Sequence, residues 1–230
     1  MELRGYLAWD GGREGPRPGV LVVHEWWGHD DYVRGRARQL AERGYVAYAV
    51  DMYGAGKRAE TPQEAQALMG QVLGNPQAMR RRFEASRAAL AARPGVDARR
   101  MAAIGYCFGG SVVLEMARQG LELAAVAAFH PGGLSAEPAV RGTYRAKTLV
   151  CLGADDPFVP AEQRRAFQKA LEAAGAELDL VEYPGVVHGF SVPAATKRGK
   201  EHGLPLAYDA RADRDSWERL ERLLAGAFGP

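Results

Sequence analysis

The sequence predicts an α/β fold, a mostly parallel central sheet with helices on both faces. Three observations carry that expectation. Short β-rich apolar runs alternate with longer segments of helical period. The apolar runs are close to continuous, the pattern of parallel strands buried on both faces. At 230 residues, the chain suits one α/β domain closing around one core, so a single domain over 1–230 is expected.

The elements follow in chain order. An opening strand around 2–9 belongs at an antiparallel edge, and the first strong parallel strand is 20–24. A helix over 31–43 leads to a strand at 45–50, then to helices over 62–73 and 77–92. A strand at 101–104 runs into a helix over 110–119. Strands at 124–129 and 148–152, a helix over 161–174, a strand at 178–183 and a closing helix over 209–227 complete the pattern. Gly44 and Gly175 follow helical runs and suit left-handed caps, while Thr61-Pro62 and Asn75-Pro76 each put a capping side chain before a proline at the first helical position. Residues 53–76 are the richest in glycine, proline and small side chains, which makes them the candidate for an insertion near the top of the sheet, where a mobile cover would fit. Neither a repeat nor an interdomain linker is visible.

Composition removes some function classes. Hydrophobic residues make up 47% and charged residues 25%, ordinary values for a soluble globular chain. Thirty Lys+Arg against twenty-eight Asp+Glu leave a formal charge of +2, and the two signs are interspersed, so nothing attracts a phosphate backbone and no nucleic acid partner is expected. The first dozen residues lack the look of a secretory signal, and no run approaches the roughly 20 apolar residues of a membrane helix. A cytoplasmic protein without a membrane partner is expected, as monomer or homodimer. Cys107 and Cys151 are expected to be free thiols, the second as strand core.

The most informative segment is Ile104-Gly105-Tyr106-Cys107-Phe108-Gly109-Gly110. It follows an apolar strand and opens a helix, the context that a G-x-nucleophile-x-G elbow of the α/β-hydrolase fold requires. The sharp turn strains its middle residue, the glycines leave room for it, and the amino end of the next helix favours a thiolate. The plainer alternative is a core cysteine beside a glycine turn. An elbow predicts an acid and then a histidine after later strands. Asp156 follows the strand at 148–152, with Asp155 as the fallback, and a helix cap is the alternative use of such a pair. His188 follows the strand at 178–183 in a glycine-flanked loop. In this fold the oxyanion hole takes one backbone N–H from the residue after the nucleophile, Phe108, and one from the loop after the first parallel strand, Trp26. That loop, His24-Glu25-Trp26-Trp27-Gly28-His29, is not H-E-x-x-H, because Gly28 stands where the second histidine belongs and the context is a strand end. No metal or other cofactor is expected.

These segments together resemble the dienelactone hydrolase family. The likeness rests on an H/Q-E-x-x-G loop at 24–28, G-Y-C-x-G-G at 105–110, D-x-F-V-P at 156–160 and H-x-F at 188–190, and it spans roughly 20–190. The resemblance implies ester or lactone hydrolysis by Cys107, His188 and Asp156. It also implies a thiol-modulating role for Glu25, which would hold the resting thiol or receive its proton; an ion pair with an arginine is the plainer use of that carboxylate. Trp27, His130 and Phe190 are candidate substrate contacts, although His130 suits a structural role as well. One departure concerns the substrate. Dienelactone-cleaving members hold the substrate carboxylate with an arginine four residues after the catalytic histidine, and this chain has Val192 there; Arg80, Arg81 and Arg82 are the alternative cations.

The leading expectation is therefore acyl transfer to water through a thioester, acting on a small-molecule ester or lactone. A carboxylesterase or thioesterase of different range is the alternative. Peptidase activity ranks lower, since thiolate leaves the tetrahedral intermediate more readily than an amine does. A non-catalytic binding member of the fold is the competing class.

Overall fold

Alternate residues of a strand point to opposite faces, so a strand buried at every position is covered on both. Val20, Leu21, Val22 and Val23 are all buried, as is the whole run Ala125–Phe129. The computed structural model describes residues 2–139 and 142–229. Along the chain the elements are β1 (Tyr6–Ala8), β2 (Arg17–Val23), α1 (Asp31–Glu42), β3 (Val46–Val50), α2 (Pro62–Leu73), α3 (Pro76–Ala91) and β4 (Val96–Tyr106). Then come α4 (Phe108–Arg118), β5 (Ala125–Phe129), β6 (Lys147–Gly153), α5 (Ala161–Ala174), β7 (Leu178–Tyr183), α6 (Ala195–His202) and α7 (Ala210–Phe228). The seven strands form a mostly parallel sheet in the order β1-β3-β2-β4-β5-β6-β7. The expected α/β fold is the observed one. No helix among the described residues is long and apolar enough to cross a membrane.

The chain divides into two compact units, Met1–Ile104 and Gly105–Pro230. In the first, β1 pairs antiparallel with β3, placing Tyr6 opposite Ala49, and β2 pairs parallel with β3 from Gly19–Val46 to Val23–Val50. Asp30 caps α1 by accepting from the N–H groups of Tyr32 and Val33, and the helix buries Val33, Ala37, Leu40 and Ala41 at helical spacing. Thr61 and Glu64 close a reciprocal capping box on α2, and Asn75 caps α3, each with proline at the first position as the sequence predicts. Gly44 and Gly175 both adopt the expected positive φ, +95° and +74°.

The loop after β3 is organised by one carboxylate. Asp51, fully buried, accepts from the backbone N–H groups of Arg4, Tyr53, Gly54 and Gly56. The segment 53–76 is a packed part of this unit: Ala59 and Ala65 form a buried cluster with Trp27, against which Trp26 and Leu68 pack. Its glycine-rich start reflects the turn around Asp51, and its second half is α2.

In the second unit β5, β6 and β7 run parallel, with Phe129 opposite Cys151 and Gly153 opposite Tyr183. α4 packs on β5, α5 on β7, and α7 on β5 and β6. Cys107 and Cys151 are free thiols, and Cys151 is fully buried within β6.

Five elements depart from the sequence expectation by two residues or more: β1 is confined to Tyr6–Ala8, β2 begins at Arg17, and β4, α4 and α6 differ as well. β4 begins at Val96, five residues before the apolar run, and its first half is the polar stretch of Asp97, Arg99 and Arg100. α4 begins at Phe108, immediately after the elbow. α6 was not foreseen: it has no side-chain cap and ends in left-handed Gly203. Its Gly199 backs so closely onto the chain that a Cβ there would lie 2.4 Å from the Leu206 carbonyl oxygen.

Candidate active site

The elbow is a local consequence of glycine placement. β4 ends at Tyr106 and α4 starts at Phe108, leaving Cys107 alone between them at φ +52°, ψ −116°. A non-glycine residue in that region costs about 1–3 kcal/mol and persists only where its surroundings over-determine it. Here they do. The Cys107 N–H donates to the Phe129 carbonyl at 3.0 Å, and its carbonyl accepts from Gly110 at 3.0 Å, Ser111 at 3.3 Å and Gly132 at 3.0 Å. A Cβ on Gly105 would fall 2.0 Å from the Gly109 carbonyl oxygen, so the turn closes only with glycine there.

The acid and the histidine are brought together by zipped strand ends. Ala154 donates to the Tyr183 carbonyl at 2.8 Å and Asp155 to that of Val186 at 3.0 Å, while a Cβ on Gly153 would meet the Val186 carbonyl oxygen at 2.3 Å. The Asp156 side chain is thereby aimed inward and its Oδ2 lies 2.7 Å from His188 Nδ1. Its other oxygen accepts from the Phe158 N–H at 2.9 Å. Asp155 is exposed; Asp156 is the carboxylate that meets the ring. The loop after His188 is fixed from outside, with its carbonyl accepting from Ala207 at 3.1 Å and that of Phe190 accepting from Asp209 at 3.0 Å.

His188 also shares a hydrogen bond with the Cys107 thiol. Burial alone would push the ring below its ordinary 6.5, but attraction to a Cys107 thiolate and the bond to Asp156 outweigh it and raise the ring to about 10. The second unit thus holds a cysteine, a histidine and an aspartate in one chain of contacts. Phe108 opens α4, where backbone N–H groups project from the helix end beside Cys107.

The rings around His188 were only partly foreseen. Phe158 meets it edge-on at 4.9 Å and is itself exposed, and His130 meets it edge-on at 5.1 Å. His130 Nε2 is 2.8 Å from Ser191 Oγ, and Phe190 packs on the same ring at 5.2 Å. His130 and Phe190, candidate substrate contacts by sequence, are both fully buried beneath the surface. Ser191 and Gly132 escaped the sequence reading; Phe158 stood within a quoted motif without a role.

The remaining candidates lie in the first unit. His24 is buried, and its Nε2 accepts from the Met52 N–H at 3.2 Å while its Nδ1 faces the Glu25 carbonyl. Burial lowers its pKa to about 4, so the ring is neutral and committed to the backbone. Glu25 and Trp27 are buried, and the Trp26 carbonyl accepts from the Tyr53 hydroxyl at 2.7 Å. Gly28 donates back to the Glu25 carbonyl at 3.1 Å, so 25–28 form a tight turn.

A strained residue between a strand and a helix, with an aspartate and a histidine on later strand ends, is the arrangement of an α/β-hydrolase. Comparison with known proteins narrows the class: the model of the dienelactone hydrolase family matches residues 3–228, and the chain belongs to that family. A solved structure named m3DLH shares 37% identity at a TM-score of 0.90, covering 98% of this chain and 92% of its own. A dienelactone hydrolase-like promiscuous phosphotriesterase from metagenomic libraries shares 34% identity at a TM-score of 0.88 over 100% of both chains. A Yersinia pestis protein, provisionally named a carboxymethylenebutenolidase, is 27% identical over 229 residues, 95% of this chain and 82% of its own length. The chain is a dienelactone hydrolase-like hydrolase.

Proposed function

We propose that the chain hydrolyses a carboxylic ester or lactone through a Cys107-His188-Asp156 triad and a thioester acyl-enzyme. The observation that carries this reading is the contact chain itself, a strained thiol bonded to a histidine whose other nitrogen rests on a buried carboxylate. Cys107 attacks the carbonyl carbon as thiolate and the carbonyl electron pair moves to oxygen. When that pair returns, the alkoxide leaves with the proton of His188. Water then adds to the thioester, His188 taking its proton, and collapse expels the thiolate with the free acid as product. Asp156 orients the ring and balances its positive charge.

The Phe108 N–H is proposed as one oxyanion donor and the Trp26 N–H as the other. Glu25 is proposed to restrain the resting thiol. The match of one family model to residues 3–228 supports reading the chain as one domain.

Substrate class follows from charge. Val192 is buried at the position expected for a carboxylate-binding arginine, Arg80 is paired with Glu84, and Arg82 donates to the Met52 carbonyl at 2.6 Å. The buried valine and these two commitments favour an uncharged ester or lactone over a carboxylate-bearing dienelactone, and leave exposed Arg81 as the alternative cation of the three. The test is turnover of a short-chain chromogenic ester, with mass spectrometry of the quenched enzyme. An acyl adduct on the Cys107 peptide, loss of turnover in Cys107→Ala and faster cleavage of the neutral ester than of a carboxylate-bearing analogue are expected. Undiminished turnover after thiol alkylation would remove the cysteine mechanism.

A second reading has one specific observation behind it, the 34% identity to a promiscuous phosphotriesterase over the full length of both chains. Slow cleavage of a chromogenic dialkyl aryl phosphate, lost in Cys107→Ala, is its expected sign.

A further inference from the structure

Resting on the acyl-transfer reading above, we propose that His130 and Ser191 form a latch that positions the His188 ring, which makes His130 a positioning residue. His130 follows β5 directly at φ +36°, a conformation that a bulky side chain adopts only under constraint. Three bonds hold its segment. The His130 N–H donates to the Cys151 carbonyl at 2.8 Å, the Gly132 N–H donates to the Cys107 carbonyl at 3.0 Å, and the imidazole meets Ser191 Oγ at 2.8 Å. Residues 130–132 therefore join the strand leading to the acid, the nucleophile's own carbonyl and the histidine loop.

The backbone of the histidine loop is held from outside, by the Ala207 N–H on the His188 carbonyl at 3.1 Å and the Asp209 N–H on the Phe190 carbonyl at 3.0 Å. The latch adds a side-chain restraint next to those two points, at Ser191. It acts on the ring directly as well, because two imidazoles packed edge to face at an interplanar angle of 73° cannot tilt independently. A swing of His188 would break its reach to Cys107 or to Asp156.

Ser191→Ala removes one oxygen from a buried site, His130→Phe keeps a ring without its hydrogen bonds, and the double variant measures their coupling. Each single change is expected to lower kcat for the chromogenic ester about tenfold with KM little changed. The double variant should be no slower than the slower single one, since both cut the same link. His130→Gln, which keeps a hydrogen-bonding end, should recover most of the loss. If His130→Phe does not fold, Ser191→Ala carries the test.

An activity-independent readout separates the latch from the reaction. The His188 Nδ1 proton that faces Asp156 is followed by low-field proton NMR, and in Ser191→Ala it should shift and broaden while the melting temperature stays close to the parent. An unchanged resonance and unchanged kcat in Ser191→Ala, or losses that multiply in the double variant, would overturn the latch. Absence of Cys107-dependent ester cleavage in the unmutated enzyme would overturn the acyl-transfer reading instead, and the resonance would still report on the latch.

Discussion

The protonation of His188 is set by its neighbours and not by its burial. Burial disfavours the cation, yet the contacts with Cys107 and Asp156 hold the ring at about 10 against an ordinary 6.5. A raised folded-state value contributes stability that is fully present below 6.5 and is lost as the pH rises through about 10. Cys107→Ala removes the first partner, so the His188 ring should titrate at a lower pH, and its stabilising window should retreat with it. NMR titration of the ring reads the first, and denaturant midpoints at pH 7 and pH 10 the second. An unmoved titration would mean that Asp156 alone holds the ring. Glu25→Gln keeps shape and removes charge; ester turnover should fall steeply while the unfolding midpoint barely moves, and full activity in that variant would leave Glu25 a structural residue. At Cys151, burial lifts the thiol to about 12, so native alkylation should label Cys107 alone and the second thiol should react only after denaturation.

Among the elements, those with local end signals were legible from sequence and those fixed by distant contacts were not. α2 and α5 match their expected limits because Thr61, Pro62 and Gly175 mark them chemically, and β7 because its run is bounded by turn residues. α6 and the first half of β4 are polar and carry no apolar period to mark them, and α6 is set by close backbone packing at Gly199 that no local pattern announces. The site divides in the same way. Cys107, Asp156 and His188 stand in short motifs after strands, whereas His130 and Ser191 are 61 residues apart and meet only once the second unit is folded. Two substitutions test these local causes. Thr61→Ala should cost about 1 kcal/mol of stability without changing turnover, the usual worth of an N-cap. Gly105→Ala should prevent the elbow from closing, since its Cβ would lie 2.0 Å from the Gly109 carbonyl oxygen, and should appear as loss of soluble folded protein.

At the scale of the whole molecule, a chain that folds as one domain unfolds in one transition. In a Trp217→Phe variant the remaining tryptophans, Trp9, Trp26 and Trp27, belong to the first unit, while Cys107 and Cys151 report on the second. Fluorescence loss and exposure of Cys151 to alkylation should share one denaturant midpoint; two midpoints would divide the chain into separately folding domains. The buried carboxylate of Asp51 has a different consequence. It gathers the N–H groups of Arg4, Tyr53, Gly54 and Gly56, so the shape of that loop is stored in one buried side chain. Lys57 is therefore open to evolutionary drift and to laboratory randomisation, as long as Asp51 and the glycines beside it stay, whereas Ala55, at φ +54°, excludes β-branched side chains. The outward face of that stretch can thus be rewritten without refolding the strand that bears it.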